Sequence, residues 1–343
     1  MLPRSPLKNK LKSLRLQAIY IVLLVSLLPA IGLPEEKKPA VTSKNAREES
    51  IEATLAEATP QRSAPEYGFV SGTKLQVASW TEEKEYTFKS DSYFQYTPAE
   101  SAEVTSGKVG LMKAASEYEY TYKVGGKLPV KLSVGSGYIG ISNTTPVELP
   151  AHLVAVTTDI ETTFPFFNAN NTYLRLGVSP SFYGDDWSLP TSSFRIPFRS
   201  YLIYMPNEKW TYILGVAVYP DFKYNVLPIV GFVYKPNKRL VFNIVPTRPN
   251  ITYALTEKLA IFGETGAALD NEFEVTKDNL KNVILRYNEK YVGMGLQYDL
   301  NKYIRASFST GFAFNRRLTY DDELGKVQVK DAIYSQIRIQ IVI

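Results

Sequence analysis

Cysteine is absent from this 343-residue chain, and histidine occurs once, as His152. Without cysteine there is no disulfide framework, no zinc–thiolate site and no thiol nucleophile. A bacterial lipoprotein anchor, which needs a processed cysteine, is excluded as well. One histidine leaves little for acid–base catalysis near neutral pH, where imidazole is the usual base. His152 stands in ELPAHLVAV, at the edge of an expected loop, with Ser142, Glu148 and Asp159 as candidate neighbours. No nucleophile-elbow spacing surrounds it, and the lack of a second histidine argues against a transition-metal site. Asp321-Asp322-Glu323 with Gly325, and Asp185-Asp186 beside Trp187, lack the ordered spacing of a calcium loop and read as solvated loops. No cofactor is implied.

Long apolar runs are scarce too. Apart from Gln17 and Ser26, Leu16 to Leu28 is apolar, but at about 13 residues it is short for a membrane-spanning helix. Arg4, Lys8, Lys10, Lys12 and Arg15 precede it, and Ala30-Ile31-Gly32 offers small residues for a signal peptidase. Residues 1–32 therefore read as an export signal, with an uncleaved anchoring helix as the competing reading. The whole chain carries a formal +5, and this segment holds five basic and no acidic residues, so 5 − 5 leaves about zero. No basic surface for nucleic acid remains. Residues 33–66 are polar, proline-dotted and poor in aromatics, as expected of a flexible linker. A plug or a peptidoglycan-contacting arm is the alternative there.

Tyrosine is abundant, at 24 residues, and from residue 67 onward two-residue alternation dominates. In YSQIRIQIVI, Ile337, Ile339, Ile341 and Ile343 share one face, and Gln336, Arg338 and Gln340 the other. Leu174, Leu176 and Val178 oppose Arg175; Phe194, Ile196 and Phe198 oppose Arg195 and Arg199; Ile304, Ala306 and Phe308 oppose Arg305 and Ser307. Each such stretch is about ten residues, the length that crosses a bilayer at a tilt. No helical period interrupts them, which argues against βαβ units. Tight turns are expected at 124–128, 205–209, 235–238, 255–258 and 299–302, and longer connections at 183–192, 270–281 and 315–328. The resulting trace has strands at 85–97, 108–124, 129–142, 150–165, 172–183, 193–205, 210–220, 224–234, 239–246, 250–256, 258–268, 282–299, 303–315 and 328–343. That is about 12–14 strands, the lower number arising because 239–256 is short and proline-broken. A bulge is expected within 282–291.

Period alone does not say which face is inside. A closed barrel of this many strands would need to fill a wide interior with hydrophobic side chains if the apolar rows faced inward. An antiparallel up-and-down transmembrane β-barrel over residues 67–343, apolar rows toward lipid, resolves this. Tyr201, Tyr204, Trp210, Tyr212, Tyr298 and Tyr303 flank expected turns, where rings sit at headgroup level. Ordinary cross-strand aromatic pairing is the other reading. The lumen would then be lined by Lys131, Arg175, Arg195, Arg199, Arg305 and Arg338, with Glu117, Glu119, Glu264 and Asp299. These charges either pair and fill a wet interior, or form an arginine-rich strip that favours small anionic solutes.

The stretches FNIVPTRPNITYALTEKLAIFG (242–263) and NEKYVGMGLQYDLNKYIRASFSTGFAFNRRL (288–318) resemble an uncharacterised family of bacterial outer-membrane β-barrel proteins. The shared features are a VP-x-x-P-x-I-x-Y step and a turn before a basic-and-serine strand ending in Asn-Arg. The resemblance implies the outer membrane of a Gram-negative bacterium, with membrane lipid, lipopolysaccharide and the outer-membrane assembly machinery as partners. It brings no reaction or ligand. The chain departs from outer-membrane proteins generally in ending on Ile343, where an aromatic is usual. Three functions fit: a porin-like channel, a structural or surface-interaction barrel using its long loops, and a barrel enzyme acting on envelope lipid or peptide. The last requires His152 beside a carboxylate in a cleft.

Overall fold

A computed structural model describes residues 88–343 apart from 125–127, 167–168, 189, 221–224, 247–248, 278–279 and 322–323. The expected export signal (1–32), the linker (33–66) and the stretch 67–87 lie outside the described residues. The described strands are β1 (Phe88–Ser101), β2 (Lys108–Val124), β3 (Leu128–Asn143), β4 (His152–Pro165), β5 (Thr172–Val178), β6 (Ser181–Gly184) and β7 (Phe194–Arg195). They continue as β8 (Phe198–Asn207), β9 (Trp210–Val218), β10 (Val226–Asn237), β11 (Leu240–Ile244) and β12 (Asn250–Ala254). The last are β13 (Leu259–Lys277), β14 (Leu280–Asp299), β15 (Ile304–Tyr320), β16 (Lys326–Val329) and β17 (Ala332–Val342).

Chain neighbours pair antiparallel, and β1 pairs with β17 from Lys89↔Val342 to Tyr96↔Ser335, so the sheet closes on itself. Three pairs of segments each form a single interrupted stave. β5 and β6 both pair with β4, β7 and β8 pair with β6 and β5, and β16 and β17 both pair with β15. Two of the interruptions fall at Pro180 and Pro197, where the missing N–H breaks a ladder. The result is the expected antiparallel barrel, with 14 staves.

One end carries tight turns built by a repeated device. The Asn207 side-chain oxygen accepts from the N–H groups of Lys209 and Trp210 at 3.0 and 3.1 Å. Asn237 does the same for Arg239 and Leu240 (2.9 and 3.1 Å), and Asn301 for Tyr303 and Ile304 (2.8 and 2.9 Å). Thr256 replaces asparagine in the turn before β13, accepting from Lys258 and Leu259. A short polar side chain thus satisfies two backbone donors that the reversal leaves without a ladder. Outward-facing rings gather at this end, with Tyr120, Tyr204, Tyr212, Tyr298 and Tyr303 all exposed. Trp210 also stacks across strands on Tyr234 at 4.1 Å, so the rings both pair and mark the boundary.

Two expected long connections are instead strand. β13, β14 and β15 have 19, 20 and 17 residues, well beyond the ten or so that cross a bilayer at a tilt. Residues 270–277 and 280–281 continue the β13–β14 ladder, and Arg316–Tyr320 continues β15. Bulges at Ala268/Asn271 and Asn288/Lys290 divide these strands.

The two faces exchange character at those bulges. Toward the tight turns, Val292, Met294 and Leu296 are exposed outward while Gln297 is buried within. Beyond the bulge, Val283, Leu285 and Tyr287 turn inward and are buried. The same switch occurs on β2, where Val109 and Leu111 point inward at the loop end and Glu117 and Glu119 at the turn end. At the loop end the inward apolar residues meet as one cluster. The barrel is therefore apolar outside where it spans a membrane, and apolar inside above it.

Candidate functional site

The inner face is built around β4. In TTDIETT, alternation points Thr157, Asp159, Glu161 and Thr163 inward, and each carboxylate meets a cation from β5 or β8. Arg175 on β5 pairs with Glu161 at 3.1 Å and donates through Nε to Thr163 at 2.9 Å. Arg199 on β8 pairs with Asp159 and also reaches Glu161 at 3.2 Å and Ser179 Oγ at 3.2 Å. The Tyr201 hydroxyl donates to Glu161 at 3.3 Å. Lys131 on β3 pairs with Glu119 on β2 at 3.3 Å. Arg175 is 1% and Arg199 3% exposed, so these pairs sit out of bulk water, where an uncompensated charge is costly.

The other sequence-singled residues lie apart from this network. Arg338 on β17 pairs with Asp91 on β1, to which Gln340 also donates at 3.1 Å. Glu264 accepts from the Tyr334 hydroxyl at 3.2 Å. Arg305 pairs with Asp299 at 2.7 Å beside the β14–β15 turn and is only partly buried. Arg195 lies at the rim, where its guanidinium donates to the carbonyl oxygens of Ser192 and Phe194. Arg175 and Arg199 thus share a carboxylate, and Arg195 does not join them.

A third buried group escapes the sequence analysis. Glu289 lies between Lys113 and Arg316, bonded to the first and 3.4 Å from the Nε of the second. It sits directly beneath the apolar cluster, with Lys113 over the Tyr287 ring at 5.2 Å. Arg316 follows Asn315, whose φ of 51° marks the bulge that turns Arg316 inward. The alternation of Lys113 with Ala115 and Glu117 was a usable signal; the bulge concealed the partner.

The adjoining wall was also missed. Ile203, Ile213, Ala217, Ile229, Val233 and Val241, on β8 to β11, are buried on the inner face as a second apolar cluster. β9 and β10 are largely apolar on both faces, so YILGVAV and LPIVGFV carry no alternation to read. The charged network on β4, β5 and β8 thus borders a largely apolar inner face on β9 to β11.

Close packing sets the tolerance of the inner face. A Cβ on Gly293 would lie 2.1 Å from the Tyr334 hydroxyl. Gly293→Ala should push Tyr334 off Glu264 and cost about 1–3 kcal/mol, the range for overpacking, read from the urea midpoint of the folded barrel.

His152 stacks on Tyr138 with ring centroids 5.6 Å apart, and its register opposite Gly140 puts it on the outer face. It is turned away from the inner carboxylates. Among the described residues no group of three His, Asp or Glu side chains is placed to hold a metal ion, and no helix is long and apolar enough to cross a membrane.

Residues 193–336 match the family described as a domain of unknown function, DUF6268. The DUF6268 stretch runs from the start of β7 into β17, and both sequence segments that carried the family resemblance fall inside it. It contains the whole greasy wall and the three long strands. No curated protein matches the chain. Among solved structures, it is similar to the COG4313 outer membrane channel from Pseudomonas putida F1, with a TM-score of 0.42 and 12% identity over 75% of this chain and 96% of that one. It is similar to the toluene transporter TodX of P. putida, at 0.34 and 9% over 75% and 90%. The KdgM porin in complex with oligogalacturonate gives 0.29 and 9% over 73% and 98%.

Proposed function

We propose that this protein is an outer-membrane channel for small solutes. The observation that carries the reading is the closed ring of 14 staves with an apolar exterior band and polar side chains within. A ring this wide encloses more volume than side chains from its wall normally fill. The membrane of residence is the Gram-negative outer membrane, with lipid and lipopolysaccharide against the isoleucine-rich exterior. The chain reaches it through the export signal of residues 1–32 and the assembly machinery.

Lys131, Arg175, Arg195, Arg199, Glu264, Arg305 and Arg338 serve in this reading as lumen-facing groups. Most of the basic ones are tied to a carboxylate, which supports balanced charge more than a bare anion-selective strip. Rim charge is what a passing ion meets first. Arg195→Glu with Arg305→Glu removes two positive charges at the ends of the pore and adds two negative ones. The zero-current potential under a KCl gradient should shift toward cation permeation.

Single-channel recording of refolded protein in a planar bilayer tests the reading itself. Discrete ion currents are expected. A protein that inserts and carries no current would be a surface-interaction barrel instead.

A further inference from the structure

Above the membrane the strands close a second, smaller ring. β13 pairs with β14 from Asn271↔Tyr287 to Val275↔Val283, β14 with β15 from Leu285↔Tyr320 to Asn288↔Arg317, and β15 with β16 from Arg316↔Val329 to Thr319↔Lys326. β16 reaches the end of β1 through the Ala102↔Val329 bridge, and β2, β3 and β4 follow in order. β6 then pairs with β4 from Val154↔Gly184 to Thr157↔Ser181, and meets β13 in parallel at Glu274↔Gly184. Counting β13 to β16, β1 to β4 and β6, this collar has nine strands against 14 staves below. A ring of about eight strands is narrow enough for side chains to fill. Here Leu111, Ile139 and Leu153 meet Phe273, Leu285 and Leu318 as one buried apolar cluster. An apolar constriction of that kind excludes water and stops ions.

The joints of the collar are unequal. Among the described residues, β6 and β13 share one paired position. The Ser192 hydroxyl donates to Glu274 at 2.6 Å, and the Thr276 N–H donates to Asp185 at 2.9 Å. Tyr183 meets Phe273 edge-on across the same joint, with ring centroids 6.0 Å apart. β1 and β16 also share a single bridge, but two main-chain bonds flank it, Glu103 N–H to Gln328 and Lys330 N–H to Ser101. That joint continues downward as the β1–β17 ladder. The β6–β13 joint has no such continuation, because in the membrane β7 to β12 come between the two strands. A closed ring parts where the fewest bonds hold it.

We propose that the β6–β13 joint is the gate of the channel. Docked, it shuts the axis over the apolar cluster, with the bond from the Tyr320 hydroxyl to the Glu148 carbonyl, 2.9 Å, as a second catch. Released, it lets the extensions of β13, β14 and β15 lean outward, and the mouth widens toward the full 14 staves. The bulges at Ala268/Asn271 and Asn288/Lys290 set these extensions off from the membrane part and give them a place to bend. Lys113 and Glu289 hold the two walls together at that level, below the part that moves. The proposal rests on the channel reading and adds its regulation.

The test uses the whole protein in planar bilayers. The chain has no cysteine, so Ser192→Cys with Glu274→Cys puts one thiol on each side of the joint and removes its hydrogen bond. Before linking, the open time should exceed that of the unaltered protein several-fold. A reducible bis-methanethiosulfonate linker should abolish the openings, and dithiothreitol should restore them. Linked and reduced samples are the same folded protein, so the comparison reads the joint and not the fold. Arg317→Cys with Gln328→Cys, linked across the β15–β16 ladder, should leave the current unchanged. Currents indifferent to the β6–β13 link, or equally lost on linking β15 to β16, would overturn the gate and leave the channel standing. If neither the unaltered protein nor the unlinked variant conducts, the channel reading itself fails and the gate falls with it.

Discussion

Arg199→Ala is expected to destabilise the barrel by about 3–5 kcal/mol, the cost of removing one partner from a buried ion pair. Asp159 would keep the hydroxyl of Ser179, 2.8 Å away, but lose the guanidinium that neutralises it. Glu161 would keep Arg175, so the loss concentrates on one carboxylate. Adding Asp159→Asn should therefore recover much of the loss, a coupling that a double-mutant cycle isolates. Urea unfolding in vesicles gives the midpoints. The size of the effect also reports on the lumen. If Arg199→Ala costs under about 1 kcal/mol, as exposed pairs do, then water reaches the network freely and its charges are screened.

The same logic explains what the sequence made legible. Wherever lipid lies on one side and a polar interior on the other, each strand must alternate, and alternation is readable from a single chain. That is why β17, with Ile337 and Ile339 outside and Gln336 and Arg338 inside, could be read on its own. The tight turns were legible because each needs a short polar side chain at one position, as at Asn207, Asn237 and Asn301. Legibility failed where the solvent on one side changes. Past the bulge in β13, the polar residues Glu272 and Glu274 and the apolar residues Phe273 and Val275 exchange the faces they would occupy in the membrane. DNEFEVTK consequently looked like a loop. It failed again on β9 and β10, where both faces are largely apolar and period two vanishes. Which cation meets which carboxylate was not readable at all, since Lys113 and Glu289 are 176 positions apart and a bulge sets their register.

Met294→Arg tests the orientation on which every functional statement depends. Met294 is 70% exposed, the most open of the large apolar side chains on β14, with Val292 and Leu296 beside it on the same face. In water such a change on a strand surface would be nearly neutral. At the midplane of a bilayer an arginine on the lipid face costs about 2–4 kcal/mol, falling to about 0–1 near the interface. Thr319→Arg, outward on β15 above the bulge, supplies the shallow comparison, with Glu272 and Asp321 around its strand partner Arg286 offsetting part of the added charge. Met294→Arg should lower folding free energy in vesicles by a few kcal/mol more than Thr319→Arg does. Equal and small costs would mean that no hydrocarbon touches the Met294 face. The apolar rows would then have to be buried against something other than lipid.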